Sequence, residues 1–223
     1  MDWQSILLSL KLAFITTILL FVVAVPFANW MASSKSKFKP VIEALISLPL
    51  VLPPTVIGFY LLLAFSPNNG LGAWLKNNLG LELIFSFEGL VLASMIYSLP
   101  FMVQPIYGAL SKLPPSLKEA SYVLGKSKWT TILKVLLPNI KPALLTGIVL
   151  SFAHTIGEFG VVLMIGGNIP GETKVASIAI YDEVESLNYG IANTYSLLLL
   201  ALCFSILLLV YLFSDGQFKF KKK

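Results

Sequence analysis

Apolar residues in this chain are gathered into long blocks, instead of recurring at the spacing typical of a globular helix or strand. Five of the blocks reach the roughly 20 apolar residues that one helical crossing of a bilayer requires. They are Leu12–Ala32, Val41–Phe65, Gly89–Leu110, Ala143–Gly167 and Ile191–Phe213. The pattern predicts an all-α membrane protein with five transmembrane helices, in which residues 1–223 form a single transmembrane domain.

Proline interrupts two of these blocks. The second block contains Pro49, Pro53 and Pro54, and the third contains Pro100 and Pro105. Because proline removes a backbone donor and crowds the preceding turn, we expect a kink near the middle of the second helix and a similar interruption in the third. In lipid the freed carbonyls need partners, so these helices should lie inside a bundle.

Two segments between the blocks have distinct compositions. Residues 66–87 are rich in Asn and Gly, which predicts a loop. Within residues 167–189, five residues recur at roughly helical spacing, namely Val175, Ile178, Ala179, Asp182 and Glu183. This spacing predicts a short amphipathic helix at the membrane surface, with a sixth, partial crossing as the alternative.

Lysine placement predicts the orientation of the chain. The net charge of +5 would suit a nucleic-acid-binding protein, but the chain has no Arg and its lysines cluster beside the apolar blocks. Of the 16 lysines, 13 fall within residues 35–39, 112–141 and 219–223. The positive-inside rule assigns these segments to the cytoplasm. We therefore expect the N-terminus outside, the C-terminus inside, a basic cytoplasmic tail over residues 214–223 and no nucleic-acid partner.

The longest segment on the predicted cytoplasmic side is residues 111–142. Ser116 is a candidate N-cap with Glu119 at the position of a capping box, so a short helix is expected to begin there. Four apolar residues lie on one face of that helix, namely Leu117, Ala120, Val123 and Leu124. Such a ridge suits the groove of a soluble partner.

The same segment resembles the EAA loop of permease subunits in binding-protein-dependent ABC importers. The residues that carry the resemblance, at the family's spacing, are Glu119, Ala120, Ser121, Gly125, Val135, Leu137 and Pro138. Ser121 and Val135 are conservative departures from the family's Ala and Ile. In that family the loop docks into a separate ATPase and transmits its closure. The resemblance implies a type I importer transmembrane domain with its core over about residues 6–213, a second copy of the chain, and two ATPase subunits.

Gly125-Lys126-Ser127 ends like a phosphate-binding P-loop, but the leading glycine of that motif would have to stand at Ala120. No predicted strand precedes it either. We therefore expect the partner ATPase to bind ATP and magnesium, and this chain to be a transport subunit with no cofactor and no enzymatic activity.

Two further stretches resemble molybdate permeases, namely residues 48–58 and residues 157–181. Sulfate permeases share part of the second stretch, whereas its ending Ala179-Ile180-Tyr181 favours molybdate. The resemblance implies import of molybdate, with tungstate alongside it, across a bacterial cytoplasmic membrane. It also implies an extracytoplasmic molybdate-binding protein as partner. Sulfate or thiosulfate is the neighbouring alternative.

His154 and Glu158 are the only ionisable residues in the fourth block and lie four positions apart, on one helical face. Intramembrane charges are costly and mark functional candidates, the alternative being that both groups only hydrogen-bond to neighbouring helices. Two such residues are too few to hold a metal, so no metal site is expected. The gate or pathway candidates are Pro53, Pro54, His154, Gly157, Glu158, Phe159 and Gly160.

The missing arginines also bear on affinity. No Arg can clamp a tetrahedral dianion, and no Lys lies in the centre of a block, so we expect a passage that holds its cargo weakly. Two other classes of membrane protein fit the sequence less well. An ion-coupled secondary carrier predicts internal pseudo-symmetry and buried carboxylates, and an intramembrane enzyme requires a nucleophile or metal cluster. The sequence supports neither convincingly.

Overall fold

The computed structural model describes residues 2–214, and every regular element within that range is helical. The helices are α1 (Trp3–Ser33), α2 (Lys39–Val51), α3 (Pro54–Phe65), α4 (Gly70–Leu79), α5 (Phe87–Ser111), α6 (Pro115–Val123), α7 (Lys128–Thr131), α8 (Leu137–Asn139), α9 (Lys141–Ile156), α10 (Gly160–Gly166), α11 (Ala176–Glu185) and α12 (Tyr189–Ser214). A π-helical turn, Ile132–Leu136, joins α7 to α8. The all-α prediction is confirmed, and all but the first residue of the predicted basic tail lies outside the described residues.

Three helices are long and apolar enough to cross a membrane, namely α1, α5 and α12 over Tyr189–Leu208. Two bent pairs pass the same test together. One is α2 with α3, bent by 114°, and the other is Lys128–Asn139 with α9, bent by 85°. Counting each bent pair as one span gives up to five crossings, the number expected from the sequence, but the second bent pair covers residues 128–156 and not the predicted block Ala143–Gly167.

The bend between α2 and α3 lies at two consecutive prolines. Leu52 and Pro53 each precede a proline, and their ψ angles of 140° and 138° are extended. Because a residue before proline avoids the helical region, two in succession end the helix. Single prolines lie inside helices instead, at Pro26, Pro49, Pro100 and Pro105. The predicted interruption of the third block was wrong, since α5 continues through both of its prolines.

Two other expectations need correction. The fourth block, Ala143–Gly167, was predicted as one helix, but the structure ends α9 at Ile156 and begins α10 at Gly160. The predicted loop, residues 66–87, contains α4. The amphipathic helix expected between residues 167 and 189 is present as α11, which buries Ala176, Ile178 and Ala179.

Helices α1, α5 and α9 pack together in the centre of the bundle. Alanines of α1 and α5 are fully buried there, among them Ala13, Ala24, Ala28 and Ala93. On α9, a Cβ added to Gly147 would lie 3.2 Å from the Met102 carbonyl oxygen of α5. Because lipid is as apolar as a leucine side chain, close packing of such small residues is what associates helices in a membrane. Around this centre, α3 packs on α10, and α11 and α12 pack on each other.

Gly58 allows α3 to approach α10. A Cβ at this position would lie 2.8 Å from Met164 Cβ and 3.2 Å from Val161 Cα. We expect Gly58→Ala to lower the free energy of unfolding in detergent by about 1–3 kcal/mol, because the contact becomes overpacked. The control is Gly108→Ala on α5, where nothing lies within 4 Å of an added Cβ. That variant should be neutral or slightly stabilised. Equal stability of the two variants in thermal unfolding would contradict this packing.

Candidate functional site

A cavity of about 460 Å³ opens where the break between α2 and α3 lies beside the break between α9 and α10. Its walls come from the start of α3, from α5, and from the end of α9 with the residues that follow it. The lining residues are Pro54, Thr55, Tyr97, Ala153, His154, Gly157, Glu158, Phe159 and Gly160. Six of the seven gate or pathway candidates therefore lie together, and Pro53 stands in the adjacent bend. Their role in transport stays a prediction.

Three residues, 157–159, interrupt the helix between α9 and α10. Gly157 caps α9 and its amide donates to the carbonyl of Ala153, 3.3 Å away. Phe159, with φ −125° and ψ −62°, leads into α10 outside the helical region. Gly160 then begins α10 against Pro54, and an added Cβ would lie 2.8 Å from Pro54 Cβ. The absence of a side chain at Gly160 thus allows the two breaks to touch.

Contacts with α5 hold the His154 side chain in place. Its Nδ1 lies 3.0 Å from Ser98 Oγ, which is also 3.0 Å from Thr155 Oγ1. Its ring stacks on Phe101 with a centroid distance of 4.1 Å and lies 4.7 Å from the Tyr97 ring. The imidazole therefore presents one edge to the cavity while the other is occupied by a hydroxyl from α5. This arrangement agrees with the alternative that His154 hydrogen-bonds to a neighbouring helix.

Glu158 is 4% exposed, and within the described residues neither carboxylate oxygen has a hydrogen-bond partner. The buried hydroxyl of Ser94 stands beside the carboxyl without an ideal hydrogen-bond geometry, and it is the group placed to pair with Glu158. Buried polar groups are normally satisfied, so an unpaired carboxyl at a cavity wall is unusual and marks a functional site more often than a packing site. The main-chain carbonyl of Glu158 does have a donor, since Ser177 Oγ on α11 lies 2.6 Å away.

The segment between α10 and α11 is a compact polar turn. Thr173 is fully buried, and its hydroxyl donates to the Gly166 carbonyl, 2.6 Å away, while accepting from the Ile169 amide. Asn168 donates to Asp182 at 2.9 Å, and Lys174 forms an ion pair with the same carboxylate at 2.5 Å. This turn fixes α11, and through Ser177 it fixes the break beside the cavity.

Several cavity residues escaped sequence reasoning. Thr55 and Tyr97 belong to apolar blocks in which nothing distinguishes them from packing residues, and Ala153 is no different. Ser177 is one of many serines in the chain. In the part of the chain that the structure describes, no group of three or more His, Cys, Asp or Glu could hold a metal ion.

The EAA-like residues begin in α6, whose start differs from the expectation. The N-cap is Pro114, no side chain caps the end, and Ser116 lies inside the helix. The predicted Ser116 N-cap was wrong because Pro115 takes the first helical position, where its missing N–H costs nothing. Glu119 and Ala120 are exposed, as are Val123 (88%) and Leu124 (74%). The apolar ridge is thus largely uncovered, although Leu117 is partly buried.

Gly125 closes α6 with a Schellman motif. Its φ is +71°, its amide donates to the Tyr122 carbonyl at 2.9 Å, and the Lys126 amide donates to the Ser121 carbonyl at 3.1 Å. This left-handed position favours glycine strongly. The Ser121 side chain, which replaces the family's alanine, is buried and lies 2.8 Å from Thr131 Oγ1. The departure from the family pattern therefore adds a bond between α6 and α7.

The remaining EAA-like residues lie at the π-helical turn. Val135 is inside the turn, and the Leu137 amide reaches back to the Ile132 carbonyl. Pro138 follows in α8 and has no amide to donate. The turn widens the helix immediately before this proline, and α9 then departs at 85°. All seven EAA-like residues thus lie in one continuous segment, while the break at Gly157–Phe159 lies beyond α9.

Comparison with known proteins decides the class. Residues 24–219 match the family described as "binding-protein-dependent transport system inner membrane component". The chain belongs to this family. It is 46% identical over 219 residues to the molybdenum transport system permease protein ModB of Azotobacter vinelandii, covering 98% of this chain and 96% of that protein. It is 35% identical to a probable sulfate transport system permease protein, cysT, of Chlorella vulgaris, covering 80% of this chain and 66% of that one.

A solved structure shows the same fold. The bacterial ABC transporter involved in alginate import gives a TM-score of 0.78 at 18% identity, covering 97% of this chain and 79% of that one. The protein is therefore a multi-pass inner-membrane permease subunit of an ABC importer, and a transport subunit instead of an enzyme. The secondary carrier and the intramembrane enzyme are set aside.

The bond from Ser177 to the Glu158 carbonyl joins α11 to the break, and this predicts a local effect. We expect Ser177→Ala to lower the free energy of unfolding by about 1 kcal/mol and to speed amide exchange over residues 157–160. Hydrogen–deuterium exchange measures the second effect. The matched control is Ser196→Ala, whose hydroxyl donates only within its own helix, to the Ala192 carbonyl at 2.8 Å. Unchanged exchange at residues 157–160 in Ser177→Ala would refute the connection.

Proposed function

We propose that this chain imports molybdate, with tungstate as a second substrate, as one half of a homodimeric permease. The observation that carries the proposal is the 46% identity to a molybdenum permease over nearly the whole of both chains. Sulfate is the second candidate, since a sulfate permease is 35% identical. The higher identity and the fuller coverage favour molybdate.

The cavity supports weak handling of an anion. Of the residues that the structure describes, no lysine lines it, and the chain has no Arg. Its polar wall offers the hydroxyls of Thr55 and Tyr97 and the imidazole of His154 as hydrogen-bonding groups, beside the carboxyl of Glu158. A neutral hydrogen bond adds only about 0.5–1.5 kcal/mol net, so a few of them hold an oxyanion loosely. Selection is then the task of an extracytoplasmic binding protein that delivers the cargo.

The ATPase subunit is proposed to dock on α6 and to transmit its conformational change to the permease there. The lysine distribution assigns the α5–α9 connection to the cytoplasm, and the exposed Val123 and Leu124 form an apolar surface beside Gly125. A separate ATPase subunit, one for each permease copy, would cover this surface and bind ATP and magnesium. When the two ATPases close, the paired α6 segments are drawn together and the cavity turns from the cytoplasm to the outside. The break at Gly157–Phe159 is proposed to act as the gate in this alternation.

Cargo identity is tested by uptake. Cells that lack their own molybdate importer should accumulate labelled molybdate when this chain, its ATPase and its binding protein are expressed together. A tenfold excess of unlabelled tungstate should abolish accumulation, whereas the same excess of sulfate should change it by less than twofold. Stronger inhibition by sulfate than by tungstate would instead assign the protein to sulfate.

Docking at α6 is tested by a charge in the apolar ridge. Val123→Asp should reduce co-purification of the ATPase subunit at least tenfold, because an aspartate buried in an apolar interface without a partner is costly. The variant should still fold, since Val123 is 88% exposed. Leu187→Asp, at a position 71% exposed after α11, is the control and should retain the ATPase. If both variants bind the ATPase equally, α6 is not the docking site.

A further inference from the structure

A second cavity, of about 270 Å³, lies between α1, α2 and α5. It is lined by Met31, Glu43, Ile46, Ser47, Val103, Gln104 and Tyr107. Gln104 stands seven positions after Tyr97 of the first cavity, which is two turns, or about 10 Å, along the same face of α5. The two cavities therefore follow each other along α5, one on each side of the bend between α2 and α3.

The polar groups of this second cavity form a connected set. Tyr107 donates its hydroxyl to Glu43 Oε1 at 2.6 Å. Gln104 Nε2 donates to Ser47 Oγ at 3.0 Å, and Ser47 Oγ donates to the Glu43 carbonyl at 2.8 Å. The hydroxyl hydrogens of Ser47 and Tyr107 are thus engaged, while the amide of Gln104 keeps a second N–H. Bonds between α2 and α5 hold the wall in place before any ligand arrives.

Lys39 does not line the cavity itself but places a positive charge beside its wall, next to Tyr107. Its Nζ lies 5.0 Å from the centroid of the Tyr107 ring. Within residues 2–214, as far as the structure describes them, no carboxylate oxygen lies within 4.0 Å of it. Tyr107 therefore engages part of the ammonium, by a cation–π contact and by a hydrogen bond, and the remaining N–H donors are available to an anion. The first cavity has no such group.

We propose that the second cavity, with Lys39, is the release site of the imported oxyanion at the cytoplasmic end of the pathway. Lys39 and the free N–H of Gln104 attract the anion, and the nearby carboxylate of Glu43 keeps it from being held. The inference rests on the proposed import of a tetrahedral oxyanion and on the cytoplasmic placement of residues 35–39. A cargo held by neutral donors in the first cavity then moves towards positive charge, and opposing charges at the exit limit its residence.

The test measures the charge that a small reagent meets inside the cavity. Cys203, the only cysteine, is changed to Ser, and Ser47→Cys places a thiol in the wall. Full-length protein in inside-out membrane vesicles is treated with an anionic and with a cationic methanethiosulfonate, and the ratio of the two rates is taken. Lys39→Gln should lower the anionic-to-cationic ratio about fivefold, and Glu43→Gln should raise it by a similar factor. Lys37→Gln removes the same charge from an exposed neighbour and should change the ratio less than twofold.

Protection by cargo completes the test. Millimolar molybdate should slow labelling of the Ser47→Cys protein severalfold, and Lys39→Gln should remove this protection. Equal effects of Lys39→Gln and Lys37→Gln on the ratio would overturn the release site, as would labelling that neither molybdate nor sulfate slows. Protection by sulfate alone, together with sulfate-selective uptake, would refute molybdate as cargo and leave the release site intact.

Discussion

The contact between Pro54 and Gly160 is the point on which the architecture depends. Two interrupted segments meet there, one broken by consecutive prolines and the other at Gly157–Phe159, and a single Cβ on Gly160 would lie 2.8 Å from Pro54 Cβ. Backbone groups freed by a break cannot face hydrocarbon unpaired, so breaks are tolerated only inside a bundle or at a cavity. Because the two breaks lie together, a single region inside the bundle accommodates both of them. Ser177 satisfies a freed carbonyl, and residues of both breaks line the cavity.

The polarity of the two cavities suits a subunit that passes an anion without retaining it. Near the breaks the donors are neutral, and a carboxyl group, Glu158, stands unpaired in the wall. A bidentate arginine would bind a dianion about twice as strongly per bond as a neutral donor does, and the chain has none. Lysine appears only beside the second cavity, where Glu43 offsets it. Weak interactions in series favour turnover, provided that another protein performs selection, as the proposed binding protein would.

Sequence reasoning succeeded where a physical rule acts over many residues. Block length predicted the helical class and five crossings, and the position of Pro53-Pro54 predicted the larger bend. It failed where local context decides. Pro100 and Pro105 lie in a helix packed between α1 and α9, and α5 stays continuous there. The break after Ile156 was missed although Gly157, Glu158 and Gly160 interrupt the apolar run there, because block length alone was used to predict one helix.

The residues of the candidate site also fall into those that the sequence could predict and those that it could not. Residues with distinctive chemistry, such as His154 and Glu158, could be found in the sequence because ionisable groups are rare in apolar blocks. Thr55 and Tyr97 could not, because their position in the cavity depends on how α3 and α5 pack. The EAA-like spacing located α6 and Gly125, but the bond from Ser121 to Thr131 became visible only in three dimensions.

That bond ties α6 to the segment that continues through the π-helical turn into α8. A displacement of α6 would therefore be transmitted to the 85° bend at the start of α9. Helix α9 in turn ends at the break beside the cavity. The last element of this path is α9, a helix of 16 residues and about 24 Å that joins the 85° bend to the proposed gate, so rotation of α9 is the most direct way for the docking surface to move the gate.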